Sequence, residues 1–421
     1  MQPPDPATIT RLLRRLPVMR AMRRLTGSGA PSLHDLDMLS RRIILPSMPI
    51  TDEEMARAEF QDRGLRFARQ EQWAELAEAI HDADAARTAT PGGESAAMLL
   101  AFGARSDVVA MAEDALFDGV APPQDGIDAF ESILNDHPDD YALAMIVAMA
   151  HVDIGWAWRN APAGAGSHAP EDREARFRRH FDRAAGVLAP HSGLAENAPS
   201  LAAAECALLA ALSQTDRRIS DDFEDLIDLD PTGSRHMRAL GQTLLPARLG
   251  DYHTLELEAR RTAARTGDVW GAGAYAWVYL DALALDPGAL GLIDTVFFGD
   301  GLRDIIARCP DQHTANLLAA FCAISMRPRD DDPAPIARVR AALHANLRWI
   351  LSDHLHELHP LIWTQALHHP GQTPRLPSRR ALISEGRRTA LRAIASIFAD
   401  DIADGGSIAF SPAGMYRLPT I

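Results

Sequence analysis

The stretch DPTGSRHMRALGQTLLPARLGDYHTLELEARRTAARTGDVWGAGAYAWVYLDALALD, residues 230–286, decides how the chain folds. Asp230 is placed to cap a helix whose first position is Pro231, where the missing N–H costs little. Met237, Leu240, Gly241, Leu244 and Leu245 then recur at helical spacing. Leu249-Gly250-Asp251-Tyr252 closes that helix, with Gly250 expected as a left-handed cap. A second helix is expected over 255–266. Gly267-Asp268 repeats the stop-and-start signal, and a third, nearly all-apolar helix follows. Short turns between helices at this interval predict stacked helical hairpins.

Working outward on the N-terminal side, FESILNDHPDDYALAMIVAMAHVDIGWAWRNA (residues 130–161) predicts a helix ending near Pro138. The helix after it is apolar almost all round and therefore buried. Residues 161–170 read as a loop, 171–188 as a charged amphipathic helix, and 201–212 as another buried one. Before these, Thr51 or Asp52 is expected to cap a helix carrying Met55, Phe60, Leu65 and Phe67. Trp73, Leu76, Ala77 and Ile80 mark the next helix, and separate helices are expected over 94–102 and 108–117. Residues 1–50 form a basic N-terminal arm and linker. No acidic residue lies between Thr8 and Leu33, whereas Arg11, Arg14, Arg15, Arg20, Arg23 and Arg24 do. On the C-terminal side the charged, proline-rich 326–335 ends the repeats. One long helix is expected over 336–358 and a last one over 382–402, followed by a non-helical tail from 405 to 421. The organisation expected is therefore an arm (1–50), a helical-repeat domain (51–325) and a C-terminal helical segment with its tail (326–421).

Prolines that end helices fall at 138, 190, 231 and 310, at intervals of 52, 41 and 79 residues, and Asp268 divides the last into 37 and 42. A quasi-period near 40 is that of irregular tetratricopeptide-like hairpins, so an all-α, irregular helical-hairpin solenoid is predicted. Residues 137–281 also resemble a bacterial tetratricopeptide-like domain family of unknown function. The resemblance rests on HPDDYALAM (137–145), GWAWRN (155–160) and LDPTGSRHMRALGQTLLPARLGDY (229–252). Pro246-Ala247-Arg248-Leu249-Gly250 departs from that family's Leu-x-Pro-Arg-Trp element. The resemblance implies the fold and confers no activity.

Composition narrows the function classes. The 421 residues carry 42 basic groups, every one an arginine, and a net charge of −15, which argues against a general nucleic-acid or anionic-membrane binder. Cys206, Cys309 and Cys322 are isolated in apolar contexts, as small buried hydrophobes in a reducing compartment would be. No signal peptide is read, and no stretch approaches the roughly 18 apolar residues of a membrane span. A cytoplasmic location is expected, with membrane contact through residues 9–24 a lesser alternative.

No GxSxG elbow, phosphate-binding loop or dinucleotide fingerprint occurs, so no catalytic residue is assigned and no cofactor is expected. The expected function is that of a non-enzymatic scaffold or adaptor with a protein or peptide on its concave face. Arg235, Arg238, Arg248, Arg260 and Arg261 are the candidate partner-binding cations, with Trp156, Arg159, Trp270 and Trp277, because arginine and aromatic anchors dominate such surfaces. The alternative is a metal protein or enzyme near residues 344–369, where six of sixteen histidines fall. There Asp353, His356 and His359 would share one helix face as ligands. The segment is HExH rather than HExxH, so the spacing of zinc proteases is absent.

Overall fold

The computed structural model describes residues 32–161, 169–212, 219–368, 377–402 and 405–419. The basic stretch at 9–24, most of the 161–170 loop and His369 lie outside the described residues. The chain is all-α apart from a small three-stranded sheet, and it divides into two compact units. Of the described residues, the larger comprises those within 45–390 and 410–416, the smaller those up to 44 and within 391–409 and 417–419.

In chain order the longer helices are α1 (Leu33–Ser40), α2 (Asp52–Arg69), α3 (Trp73–Ala85), α4 (Ala96–Phe117), α5 (Gln124–Glu131) and α6 (Tyr141–Asn160). Next come α7 (Pro170–Leu188), α8 (Pro199–Leu208), α9 (Ile219–Leu229), α10 (Ser234–Thr243), α11 (Tyr252–Arg265) and α12 (Gly273–Leu285). The last are α13 (Thr295–Arg308), α14 (Gln312–Ala320), α15 (Ala334–His344), α16 (Asn346–Asp353), α17 (Pro360–Leu367) and α18 (Arg379–Ile397). The strands are β1 (Ile43–Ile44), β2 (Ser407–Ser411) and β3 (Gly414–Leu418), in the order β1-β2-β3.

In the larger unit helices pack both on their neighbour and on the next helix but one: α4 lies on α2 and on α6, and α12 lies on α10 and on α13. The helices in the middle of these stacks are apolar on every side. In α6 Leu143, Met145, Ile146 and Val147 are all buried, as are Ala274 to Leu280 in α12. Helix starts follow local chemistry. Thr51 and Glu54 form a capping box at α2, and Asp140, Asp251, Asp294 and Asp311 each accept backbone N–H groups at the starts of α6, α11, α13 and α14.

The smaller unit holds α1, whose Ser32 and Asp35 make a second capping box, and its Asp37 takes a bidentate grip from Arg392 at 2.6 and 2.8 Å. β1 runs parallel to β2, Ile43 opposite Ile408. The non-helical tail is thus a β-hairpin, and Ile408 is fully buried.

Several local expectations change. Asp230 does not cap a helix: its carboxylate accepts from the Thr232 N–H and hydroxyl, holding a turn, and α10 starts only at Ser234. Gly250 is not left-handed; it is needed because a Cβ there would lie 2.4 Å from the Leu244 carbonyl oxygen. The two helices expected over 94–117 are one, α4, since nothing at Arg105-Ser106 stops the backbone ladder. The long helix expected over 336–358 breaks at Ala345 and ends at Asp353, and residues 354–359 are irregular. The last helix expected over 382–402 is α18, which ends at Ile397, followed by a separate one-turn helix over Ala399–Ile402 whose Asp401 pairs with Arg417 at 2.6 Å. The 20-residue α6 does reach membrane-spanning length and hydropathy; 83% of its apolar window is buried inside the unit, as in a core helix.

Candidate functional site: an arginine-lined groove

The groove lies in the larger unit and consists of two cavities, about 390 and 800 Å³, that share Ala203, His236 and Ala239 as common wall. The first is built by α2, the end of α3, the α3–α4 connection, α4, α8, α10 and the turn before α10; the second by the end of α6, α7, α8 and the turn after it, α9, α10 and the turn after α10. Ala203 of α8 and Ala239 of α10 leave open the space that longer side chains would fill, and His236 completes the shared wall.

Glu94 sits at the centre of the first cavity's charge. Arg57 Nε lies 2.8 Å from one of its oxygens and Arg235 pairs with the other, so one carboxylate is divided between two guanidiniums. Arg87, in the left-handed conformation at φ 51° just after α3, spends its guanidinium on Leu229 and Asn197. Arg105 is held by Asp153 at 2.6 Å, stacks 5.3 Å from the Phe102 ring centroid, and keeps its buried Nη1 without a partner among the described residues. Phe102 itself is 47% exposed on the cavity wall. Beneath them Asp84 is buried and accepts from the Ser200 N–H at 3.1 Å, the Ser200 hydroxyl at 2.5 Å and the Tyr141 hydroxyl at 3.1 Å. Burial holds its carboxyl above the ordinary aspartate range in spite of these bonds.

The second cavity repeats the arrangement. Glu174 receives Arg159 at 2.8 Å and Arg178 at 3.0 Å, again one carboxylate between two arginines. Arg159 is wedged 3.3 Å from the Phe177 ring centroid and 5.3 Å from that of Trp156, a stacked cation that is also charge-paired. Across the cavity Arg248 is exposed and makes no side-chain hydrogen bond or ion pair with any described residue. The walls between are Ala207, Leu209, Ala210 and Leu212, the last 42% exposed.

Four of the nine residues expected on a binding face therefore meet in one groove: Trp156, Arg159, Arg235 and Arg248. Arg238 lies in a separate cavity of about 230 Å³, held to Asp281 at 2.8 Å. Arg260 and Arg261 lie on α11 and line neither cavity; Arg260 pairs with Glu256 and Asp294, Arg261 with Glu258. Trp270 and Trp277 are 4% and 3% exposed and pack edge to face at 5.9 Å, so they fill a helix seam and offer no surface. Arg57, Arg87, Arg105, Arg178, Glu94, Glu174 and Phe102 are among the groove residues that do not stand out in the sequence. Phe102 and Arg105 carried a signal only in hindsight, as an aromatic and a cation three apart on one apolar helix.

The histidine-rich stretch has a different organiser. Gln312 and Asn316, one turn apart on α14, hold the irregular backbone of residues 354–359. Gln312 accepts from the His356 and Glu357 N–H groups and donates to the His354 carbonyl. Asn316 accepts from the His359 N–H and the Trp363 indole and donates to the Glu357 carbonyl. Asp353 ends α16, so Asp353, His356 and His359 do not share a helix face, and His359 instead meets Glu357 at 2.9 Å. Among the described residues no group of three or more histidine, cysteine or acidic side chains is placed to hold a metal ion.

No family model, curated protein or solved structure matches the chain.

Proposed function

We propose that the chain is a non-enzymatic helical-repeat scaffold or adaptor of tetratricopeptide-like build that takes an extended stretch of a partner polypeptide in the groove. Stacking of helices on the next but one supports the repeat reading, because each hairpin buries its apolar face only against the following one. The observation that carries the binding reading is that two adjoining cavities share Ala203, His236 and Ala239, which brings apolar and cationic linings side by side. Exposed Phe102 and Leu212 set into it are the anchors such a surface uses, whereas scattered exposed apolar residues elsewhere need no explanation.

Selection of a displayed random dodecapeptide library on the immobilised full chain tests the reading. Ala239 is exposed on the shared wall, so Ala239→Trp fills the groove without entering the core. Peptides that bind the wild-type chain and are lost on Ala239→Trp, with the thermal midpoint unchanged, are the expected result. No selected peptide, or selected peptides indifferent to Ala239→Trp, would remove the proposal.

A further inference from the structure

Resting on that groove reading, we infer that the occupant is an acidic stretch of polypeptide with interspersed apolar side chains, its carboxylates meeting Arg57 and Arg235 in one cavity and Arg178 and Arg248 in the other. The charge of the groove runs against that of the chain. The whole sequence carries −15, yet seven arginines line the two cavities against four carboxylates.

The pairing pattern makes the excess available. Glu94 is divided between Arg57 and Arg235, and Glu174 between Arg159 and Arg178, so each couple sets two guanidiniums on one directly bonded carboxylate, with buried Glu53 also in electrostatic reach of Arg235. Asp230 is engaged by Thr232 and by His236 at 3.3 Å. Arg248 has no counter-charge among the described residues. Guanidinium pairs accept a further carboxylate in fork geometry, and a groove of one sign steers and orients an oppositely charged partner.

Between the charged ends the walls are apolar: Met98, Leu99 and Phe102 on one side, Leu209 and Leu212 on the other. A string of phosphates would leave these apolar walls unused. A chain that alternates carboxylates with leucine or phenylalanine satisfies both kinds of wall. The occupant assigned is therefore a polypeptide.

The test is fluorescence anisotropy on the full chain with three labelled dodecapeptides. They share one frame of Leu and Phe at every third position and carry Glu, Gln or Lys at the rest. The Glu peptide is expected to bind at least tenfold more tightly than the Gln peptide and the Lys peptide not at all. Raising NaCl from 50 to 300 mM is expected to weaken it several-fold. Arg178→Glu and Arg248→Glu, both exposed side chains, should each weaken the Glu peptide by about fivefold or more, and Arg338→Glu, exposed on α15 outside the groove, should not. Gln or Lys peptides that bind as well as Glu, in a manner abolished by Ala239→Trp, would overturn the acidic assignment and leave the groove reading standing. So would groove-dependent library peptides with no excess of Asp and Glu. A single-stranded 12-nucleotide DNA that displaces the Glu peptide at equal concentration would overturn the assignment to polypeptide. The groove reading itself falls only if no peptide of any charge, from the library or this set, is sensitive to Ala239→Trp.

Discussion

Gly64 and Gly103 each press against the other's helix where α2 crosses α4. A Cβ built on Gly64 would lie 2.0 Å from the Leu100 carbonyl oxygen, and one on Gly103 1.9 Å from that of Gln61. Both neighbours are backbone atoms that no rotamer change can move away. The two helices that supply Arg57 and Phe102 to the groove are thus set at a distance only glycine allows. The α10–α12 contact repeats the device: a Cβ built on Gly241 would lie 1.8 Å from the Val278 carbonyl oxygen.

Replacing either glycine of that crossing by alanine should destabilise the fold although alanine is the better helix former. The propensity gain is roughly 1 kcal/mol, and forcing a methyl into a backbone contact costs about 2–4 kcal/mol, so a net loss of about 1–3 kcal/mol is expected. Gly186 in α7 is the matched control, because nothing lies within 4 Å of its Cβ position. Gly186→Ala should stabilise by roughly 0.5–1 kcal/mol. Urea unfolding of the three variants decides the matter; equal shifts at positions 64, 103 and 186 would show that the crossing has room to relax.

How much of this was legible in the sequence divides by range. Caps such as Asp140 and Asp251, and the buried character of α6 and α12, depend on residues within a turn or two of each other. Period and propensity therefore reported them. Asp230 misled because aspartate serves a turn as readily as a helix start, and only Thr232 decides which. The groove was half legible. Trp156, Arg159 and Arg248 stood out by residue type, but the sharing of Glu94 by Arg57 and Arg235 joins distant parts of the chain and leaves no periodic trace. The histidine cluster points to a metal by residue type alone; the amides of Gln312 and Asn316, which arrange that segment, are in another helix.

Asn316 should prove one of the costlier single sites. It is fully buried, and its amide donates to the Gln312 and Glu357 carbonyls at 2.8 Å and accepts from His359 N–H and Trp363 Nε1 at 3.0 Å. Asn316→Leu fills a similar volume but strands these groups, each at about 1–3 kcal/mol if unpaired. A loss of about 3–5 kcal/mol in denaturant unfolding is expected, together with faster amide exchange over residues 354–359. Unchanged exchange in that segment would mean its backbone is held by something other than Asn316.

Asp84 joins three helices, α3 through its own backbone, α8 through Ser200 and α6 through Tyr141. Asp84→Ala leaves one N–H and two hydroxyls without their acceptor and should cost about 2–4 kcal/mol. Asp84→Asn keeps the volume and one acceptor oxygen, and because burial already disfavours the charged carboxyl, it should cost less than half as much. Thermal melts at neutral pH rank the two; an Asn variant as unstable as the Ala variant would show that the ionised carboxylate is required.

His180 gives the fold a signed response to acid. Its Nδ1 lies 2.9 Å from that of His151, whose Nε2 meets Glu131 at 2.8 Å, and Arg183 also holds Glu131. Burial, helped by His151, Arg176 and Arg179, pushes the His180 pKa down to about 4 from its ordinary 6.5. Burial also lowers that of His151, so the pair is neutral at pH 7 and one ring donates to the other. Between pH 6.5 and about 4 the unfolded chain takes up a proton at His180 that the folded chain refuses. Stability should therefore fall as pH is lowered through that window and level off below it. At pH 5 the loss owed to this group is roughly 1–2 kcal/mol after allowance for its partial exposure to solvent. His180→Asn, which can keep the hydrogen bond to His151 and does not titrate, should unfold in urea with a correspondingly smaller change between pH 7 and pH 5. If wild type and variant lose stability in parallel, the acid response belongs to other groups and the neutral pair contributes nothing to it.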